Sequence, residues 1–211
     1  DVFLTNYMPA VRQKNNIDVE HIRAANPDIV YARGSAYGDK GPQRDVGGYD
    51  GTAFWTRSGI GYSLSPPELG GMMAQGIPAF GDSIGGMNIA GGISAALLHR
   101  QRTGEALEVD VSLMSTAWWA AGASVTQGMD TGECMRAEMP KSGGSQFNPF
   151  LGNYVTADGG TINLCIVSPT GYIRDTFEHF GIPEAADDPR FSEVIPLMEN
   201  AEAAVELIAE A

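Results

Sequence analysis

The stretch from 76 to 108 constrains the fold most, because it joins an acid, a cluster of glycines and a helical pattern. After Asp82, apolar side chains recur at helical spacing toward a basic end, and Thr103 followed by Gly104 ends the pattern. Asp82 therefore lies at or just before a helix N-terminus, where unpaired backbone N–H groups and the helix dipole favour an ionised carboxylate. Both an N-capping aspartate on a buried helix and a functional carboxylate fit this pattern.

Glycines follow the acid within one helical turn, at Gly85 and Gly86. Because these positions carry no side chain, another backbone, a neighbouring helix or a bulky ligand can approach Asp82 closely. The pattern therefore permits a ligand at this acid without requiring one.

Strand and helix patterns alternate on both sides of this stretch. A strand over 1–5 precedes a helix capped by Asp18, a second strand covers 29–31, and a third covers 107–111. This alternation indicates parallel pairing and an α/β fold. Asn6 follows the first strand, at the edge where open α/β sheets bind ligands, although a turn-forming asparagine also fits this position.

Two long segments rich in glycine and proline, 34–48 and 59–78, are predicted to lack regular structure and to converge near Asp82. A helical pattern covers 49–58 between them, and another helix is predicted over 112–125. Loops of this length within a compact domain are often functional, although surface loops of similar composition are common.

The composition changes between 129 and 150, where apolar periodicity is lost. We predict an incomplete Rossmann-like parallel-sheet domain over 1–113, joined by a helical connection over 114–140 to an incomplete small α+β domain over 141–211. A hairpin pattern over 153–167 favours the α+β assignment of the last part.

The charge balance and the apolar pattern limit the partners. The 26 acidic and 13 basic side chains give a net charge of −13, which argues against nucleic acid. No apolar run approaches the roughly 20 residues that span a bilayer, so we predict a cytoplasmic protein without membrane contact. Cys134 and Cys165 lack metal-ligand spacing, so we predict reduced thiols and no metal site. The start at Asp1 and the helical pattern at the end indicate a fragment.

Six segments in order along the chain resemble the class III coenzyme A transferases (CaiB/BaiF), the family of formyl-CoA transferase, carnitine CoA-transferase and the α-methylacyl-CoA racemases. The segments are NYMPAV from Asn6, AANPDIVYARGSAYGDKGPQRDVGGYD from Ala24, GDSIGGMNIAGGISAALLHRQRTGE from Gly81, VDVSLM from Val109, NPFLGNYVTADGGTINL from Asn148 and DDPRF from Asp187. The resemblance implies that parts of the family chain lie outside this sequence.

The resemblance implies a catalytic aspartate at Asp82, which attacks an acyl-CoA thioester and then carries CoA as an aspartyl-CoA thioester. The acceptor carboxylic acid leaves as the new acyl-CoA. Such a nucleophile must be ionised and held rigidly, and N–H donors must face the oxyanion at the attacked carbonyl. The family uses CoA thioesters as substrates, with no permanently bound cofactor, and its chains form interlocked homodimers.

The resemblance also implies that Asn6, Tyr7, Val11 and Lys14 contact CoA. Lys14 stands where formyl-CoA transferase has an arginine, so a positive charge is kept for a phosphate partner. Tyr49 matches a tyrosine of the transferase active site, whereas the racemases carry a histidine there. A possible lid loop matches Gly143, Gly144, Ser145 and Gln146.

Three functions remain open from the sequence. The first is an acyl-CoA:carboxylate CoA-transferase, and the second is an acyl-CoA racemase or isomerase with Asp82 as a base. Tyr49 favours the first, because a phenol of pKa near 10 exchanges an α-proton poorly at neutral pH. The third is a non-catalytic CoA-binding module.

Overall fold

The computed structural model describes residues 1–73, 75–139, 142–145 and 147–211. The chain forms two compact units, Asp1–Met139 and Pro140–Ala211, which we call unit 1 and unit 2. The predicted domain boundary at Lys141 lies outside the described residues, and the division of the chain into three parts stays a prediction.

Unit 1 contains a parallel sheet of the strands β1 (Val2–Thr5), β2 (Val30–Ser35) and β3 (Glu108–Ser112). The strand order is β1-β2-β3, and both pairs are parallel. The predicted α/β class and the parallel pairing are therefore confirmed. Because parallel strands point the same way, their carboxyl ends meet at one edge of the sheet, where ligands bind in open α/β folds.

Helices connect and cover these strands. The α-helices of unit 1 are α1 (Pro9–Lys14), α2 (Val19–Ala25), α3 (Ile60–Ser63), α4 (Phe80–Thr103), α5 (Leu113–Ala120) and α6 (Gly122–Thr131). A π-helix, Asp50–Arg57, and a 3-10 turn, Pro67–Leu69, lie between β2 and α4. The predicted cap of α2 is confirmed, because the Asp18 carboxylate accepts a hydrogen bond from the Val19 N–H at 3.0 Å.

Three predictions of local structure are wrong. The segment 34–48 was expected to lack regular structure, yet β2 continues to Ser35. The segment 59–78 was expected to lack regular structure, yet it contains α3 and the 3-10 turn. Gly59, with a φ of 91°, turns the chain directly into α3. The single helix predicted over 112–125 is two helices, because the backbone leaves the helical conformation at Ala121 (φ −95°, ψ 22°).

The long helix α4 packs on the sheet through apolar side chains. Val30, Ala32 and Val109 of the strands and Ala96 of α4 are all buried in one cluster. A Cβ atom at Gly92 would lie 2.6 Å from Val109 Cγ1, so this glycine lets α4 lie close to β3. The close packing sets the position of the helix, and therefore of its first turn, relative to the sheet.

Unit 2 consists of an antiparallel sheet and helices around one core. Its strands are β4 (Gly143–Gly144), β5 (Leu151–Val155) and β6 (Thr161–Cys165), and its helices are α7 (Ile173–His179), α8 (Val194–Glu199) and α9 (Ala201–Glu210). The 3-10 turns Pro169–Gly171 and Pro183–Asp187 join them. The predicted hairpin is confirmed as the antiparallel pair β5–β6. Among the described residues, no helix has the length and apolar character needed to cross a membrane.

Candidate active site

A cleft of about 560 Å³ opens at the carboxyl edge of the parallel sheet in unit 1. Its walls come from the ends of all three strands, from the loop after β2 and from the first turns of α4. The lining residues that bear on its chemistry are Asn6, Tyr7, Arg12, Arg33, Asp39, Arg44, Tyr49, Asp82, Gly85, Gly86 and Asp110. The sequence therefore folds so that predicted site residues from distant segments share one cleft.

Asp82 is the third residue of α4, within its first turn. The helix is capped by Ala79, whose left-handed backbone (φ 57°, ψ 24°) is uncommon for a residue with a side chain. The N-capping interpretation of Asp82 is therefore wrong, because no side chain caps this helix from the N-cap position. Within the described part of the chain, the Asp82 carboxylate makes no hydrogen bond or ion pair, and the residue is exposed to the cleft.

The surroundings raise the pKa of Asp82 above its ordinary value. Partial burial is the larger cause, because it disfavours the charged form, and repulsion from the Asp50 carboxylate adds to it. The helix N-terminus was expected to favour the charged form, and here the net direction is the opposite. A carboxylate of raised pKa that no hydrogen bond holds is a more basic oxygen than an ordinary aspartate.

Asp50 lies beneath this turn and is only 2% exposed. One carboxylate oxygen accepts a hydrogen bond from the Gly81 N–H at 3.0 Å, and the other accepts one from the Trp55 indole N–H at 3.3 Å. Gly81 is the second residue of α4, and its N–H has no acceptor within the helix. A side chain 31 positions earlier therefore supplies the missing acceptor.

The glycines near Asp82 differ in what surrounds them. A Cβ atom at Gly81 would collide with the Phe54 ring and the Asp50 carboxylate, so these two side chains occupy the space that a larger residue at 81 would need. Gly85 is buried, whereas Gly86 is exposed and has nothing within 4 Å of an added Cβ atom. Open space beside Asp82 therefore exists at Gly86, on the side of the cleft.

Of the predicted CoA contacts, Asn6 and Tyr7 line the cleft at the end of β1, and Tyr49 lines it just before the π-helix. Val11 and Lys14 lie on α1 and are exposed, but they are not among the lining residues. The structure thus brings Asn6, Tyr7 and Tyr49 to Asp82's cleft and leaves the two α1 side chains outside it.

Arg12 of α1 lines the cleft instead of Lys14. Its guanidinium is buried, donating to the Asp18 carboxylate at 3.2 Å and to the Tyr7 carbonyl oxygen at 2.9 Å. The second bond holds the backbone that follows β1. Arg12 therefore shapes this wall of the cleft, although the sequence pattern did not single it out.

Arg33 forms the most connected ion-pair group of the cleft. Its three guanidinium nitrogens donate to three carboxylates, Asp110 at 2.5 Å, Asp39 at 2.8 Å and Glu108 at 3.0 Å. Asp110 and Glu108 lie on β3, and Asp39 lies in the loop after β2. The group ties that loop to the sheet and neutralises Arg33 as a partner for an anionic ligand.

The possible lid residues belong to unit 2. Gly143 and Gly144 form β4, which pairs with Asn153 and Gly152, and Ser145 follows that strand. Gln146 lies outside the described residues. The lid role stays a prediction.

Comparison with known proteins assigns a family. The profile of CoA-transferase family III matches residues 1–211. The chain is 31% identical over 200 residues to cinnamoyl-CoA:phenyllactate CoA-transferase of Clostridium sporogenes, covering 92% of this chain and 46% of that protein. It is 28% identical over 211 residues to (R)-2-hydroxy-4-methylpentanoate CoA-transferase of Clostridioides difficile, covering 100% of this chain and 51% of that protein. The chain thus spans about half the length of these relatives.

A solved structure supports the fold. The crystal structure of a CaiB/BaiF family protein from Brucella suis superposes with a TM-score of 0.76 at 24% identity, covering 100% of this chain and 53% of that chain. At this identity the likeness concerns the fold alone. The resemblance recognised from the sequence motifs is therefore confirmed at the level of both family and fold.

Proposed function

Because the chain belongs to CoA-transferase family III, we propose that the protein transfers CoA from an acyl-CoA donor to a carboxylic acid acceptor. We further propose that Asp82 is the nucleophile and that the reaction passes through an aspartyl-CoA thioester. The observation that carries the proposal is the exposed Asp82 carboxylate, which no hydrogen bond engages within the described residues, in a cleft at the carboxyl edge of a parallel sheet.

The proposed chemistry consists of four exchanges in which each broken bond is matched by a new one. An Asp82 oxygen attacks the thioester carbonyl, and the C–S bond breaks to give a mixed anhydride and CoA thiolate. The thiolate attacks the Asp82 carbonyl carbon, which releases the donor acid and leaves an aspartyl-CoA thioester. The acceptor carboxylate then attacks this thioester, whose C–S bond breaks to give a second mixed anhydride and CoA thiolate. The thiolate attacks the acceptor carbonyl carbon of this anhydride, which forms the new acyl-CoA and frees the Asp82 carboxylate.

The cleft residues have roles that follow from their positions. The space beside Gly86 admits the thioester to Asp82, and Tyr49 lines the same cleft. Asn6 and Tyr7 help to hold CoA where β1 ends. Lys14, exposed at the end of α1, is proposed to meet a CoA phosphate at the outer margin of the cleft, with Val11 beside it.

The arrangement favours transfer over racemisation. A racemase needs a second group that returns a proton to the α-carbon at neutral pH, and histidine suits that role. Among the described residues that line the cleft there is no histidine, and Tyr49, which the resemblance matches to the histidine of the racemases, lines it instead. Tyr49 is therefore the side chain that separates the two family activities here.

The test is covalent trapping in the full-length protein. Incubation with acyl-CoA should give an enzyme-bound CoA thioester on Asp82, seen by mass spectrometry and removed by hydroxylamine. Asp82→Ala should abolish this adduct and lower the transfer rate by at least about 10⁴-fold, because a covalent nucleophile has no substitute.

The matched control is Asp130→Asn, an exposed aspartate on α6 away from the cleft, which should keep both adduct and rate. Transfer that stays within about tenfold of the parent in Asp82→Ala, equal to roughly 1.4 kcal/mol of barrier, would rule out Asp82 as the nucleophile. Binding of CoA without an adduct and without transfer would instead support a non-catalytic CoA-binding module.

A homodimer of cytoplasmic location is proposed for the full-length protein. Apolar side chains on α5 and α6 are exposed in this chain, with Trp119 86% and Met129 84% accessible. Exposed apolar groups of this size indicate a surface that another part of the protein or a second copy covers. Light scattering on the full-length protein should give the mass of a dimer, and a monomer at high concentration would contradict the proposal.

A further inference from the structure

We propose that Asp50 is a positioning residue, whose buried carboxylate holds the first turn of α4 and with it the carboxylate of Asp82. The inference rests on the proposed function only in taking Asp82 as the nucleophile. Its structural part, that Asp50 fixes the start of the helix, can be measured without any assay of transfer.

The contacts of Asp50 use both of its carboxylate oxygens. One oxygen accepts from the Gly81 N–H of α4, and the other accepts from the Trp55 indole N–H within the π-helix. The bond to Gly81 connects Asp50 to α4. The bond to Trp55 fixes the orientation of the Asp50 carboxylate group, so that its other oxygen faces the Gly81 N–H. No basic side chain pairs with Asp50 among the described residues. A buried carboxylate without a counter-ion is costly, so this position is poorly explained as mere filling of space.

Aromatic rings close around the same turn. The Phe54 ring lies 5.8 Å from that of Trp55 and 6.1 Å from that of Phe80, and Trp55 and Phe80 lie 5.9 Å apart between ring centroids. Any Cβ atom at Gly81 would collide with Phe54 and Asp50. The start of α4 is therefore seated against the π-helix, and π-helical segments occur frequently at functional sites.

The consequence for Asp82 follows from the chain itself. Gly81 directly precedes Asp82, so a shift of the Gly81 amide moves the attacking carboxylate. A misplacement of about 1 Å costs on the order of 100-fold in rate, even when the change lies away from the reacting atoms. Asp50 should therefore affect the chemical step rather than the binding of acyl-CoA.

The experiment compares Asp50→Asn and Asp50→Ala with the parent in the full-length protein. Asp50→Asn keeps the size of the side chain, so it should stay folded, and it should lower kcat by about 10- to 100-fold. KM for acyl-CoA should change by less than about threefold, because the lost interaction acts on the chemical step. Asp50→Ala should lower kcat further. The exposed Asp130→Asn should behave as the parent.

A second measurement follows the helix start directly. The Gly81 amide should exchange with solvent faster in Asp50→Asn, because its side chain offers one acceptor oxygen to the Gly81 and Trp55 donors instead of two. Exchange should be fastest in Asp50→Ala, because alanine offers none and no acceptor within the helix replaces the carboxylate. Trp55→Phe removes the second donor but keeps an aromatic ring, so it should lower kcat less than Asp50→Asn does. The double variant should lower kcat by less than the product of the two decreases, because the two side chains act as a unit.

A folded Asp50→Asn protein whose kcat stays within about twofold of the parent, and whose Gly81 amide exchanges at the parental rate, would overturn the inference. This failure is distinct from failure of the proposed function. If Asp82→Ala keeps transfer, the nucleophile is wrong, and the exchange rate of the Gly81 amide alone decides whether Asp50 holds the turn.

Discussion

Unit 2 and unit 1 differ in how their buried side chains are arranged. Counted over the residues that the structure describes, unit 2 has one cluster of ten buried residues, three of them phenylalanines, whereas the clusters of unit 1 under α4 and around the π-helix have four buried residues each. A single large core maximises the apolar area removed from water. Unit 1 instead has an open cleft at the carboxyl edge of its parallel sheet, and the candidate active site lies there.

The difference also concerns which residue types decide the structure. In unit 2 the determining side chains are large and apolar, such as Phe177, which is fully buried against Phe150 and Phe191. In unit 1 they are glycines and buried polar groups, such as Gly92 against β3 and Asp50 under α4. We therefore expect substitutions that enlarge a side chain to lower the stability of unit 1 most. Substitutions that truncate a side chain should lower the stability of unit 2 most.

The largest stability effect is expected from Phe177→Ala in unit 2. Removal of a fully buried phenylalanine ring leaves a cavity and should lower the free energy of unfolding by about 3–5 kcal/mol. Urea unfolding followed by circular dichroism measures this loss. Phe147→Ala is the control, because Phe147 is 79% exposed and its truncation should change stability by less than about 0.5 kcal/mol. Equal losses in both variants would remove the contrast between core and surface in unit 2.

The next effect is a contrast between two neighbouring glycines of α4. Gly92→Ala adds a methyl group against Val109 and should destabilise the protein by about 1–3 kcal/mol through overpacking. Gly91→Ala meets nothing within 4 Å, so its better helix propensity should stabilise the protein by about 0.5–1 kcal/mol.

Tryptophan fluorescence suits this measurement, because Trp55, Trp118 and Trp119 all lie in unit 1. Opposite shifts of the unfolding midpoint would confirm that close helix–sheet contact, rather than helix propensity, sets the choice of glycine at 92. Stabilisation by both substitutions would mean that α4 and β3 have room to separate.

Patterns along the chain predicted the parts of unit 1 that depend on neighbours in sequence. The end of α4 at Gly104, the cap of α2 by Asp18 and the three strands follow from local propensity and periodicity. The parallel order follows from the alternation of strands and helices. The convergence of Asn6, Tyr49 and Asp82 at one edge then follows from the fold class and from the family resemblance.

Features that depend on contacts across the chain were not predictable in the same way. Asp50 is the last residue of the second segment that resembles the family. Its hydrogen bond to the Gly81 amide could not be read from that segment, because it depends on a tertiary contact. The capping interpretation of Asp82 was wrong because Ala79 adopts a left-handed backbone, which its residue type does not favour. Arg12 and Arg33 become recognisable as cleft residues only when their carboxylate partners are known.

The smallest expected effect concerns the cost of placing Asp82 in the cleft. Burial and the nearby Asp50 raise its pKa, so the folded protein binds this proton more tightly than the unfolded chain does. The protonated Asp82 therefore adds its full contribution to the free energy of unfolding below the ordinary aspartate pKa of about 3.9. This contribution is lost as pH rises through the raised pKa that Asp82 has in the folded protein. Above that value, the ionised carboxylate lowers the free energy of unfolding.

Asp82→Asn removes this cost, because an amide does not ionise. Its stability should match that of the parent near about pH 3 and exceed it at neutral pH, and Asp82→Ala should show the same dependence on pH. Urea unfolding of the three proteins across this range measures the difference. A parent that is more stable than Asp82→Asn at neutral pH would contradict the prediction, because the carboxylate would then stabilise the start of α4 as a capping group does. The expected order would instead mean that the folding of unit 1 disfavours the charge on Asp82, as its raised pKa indicates.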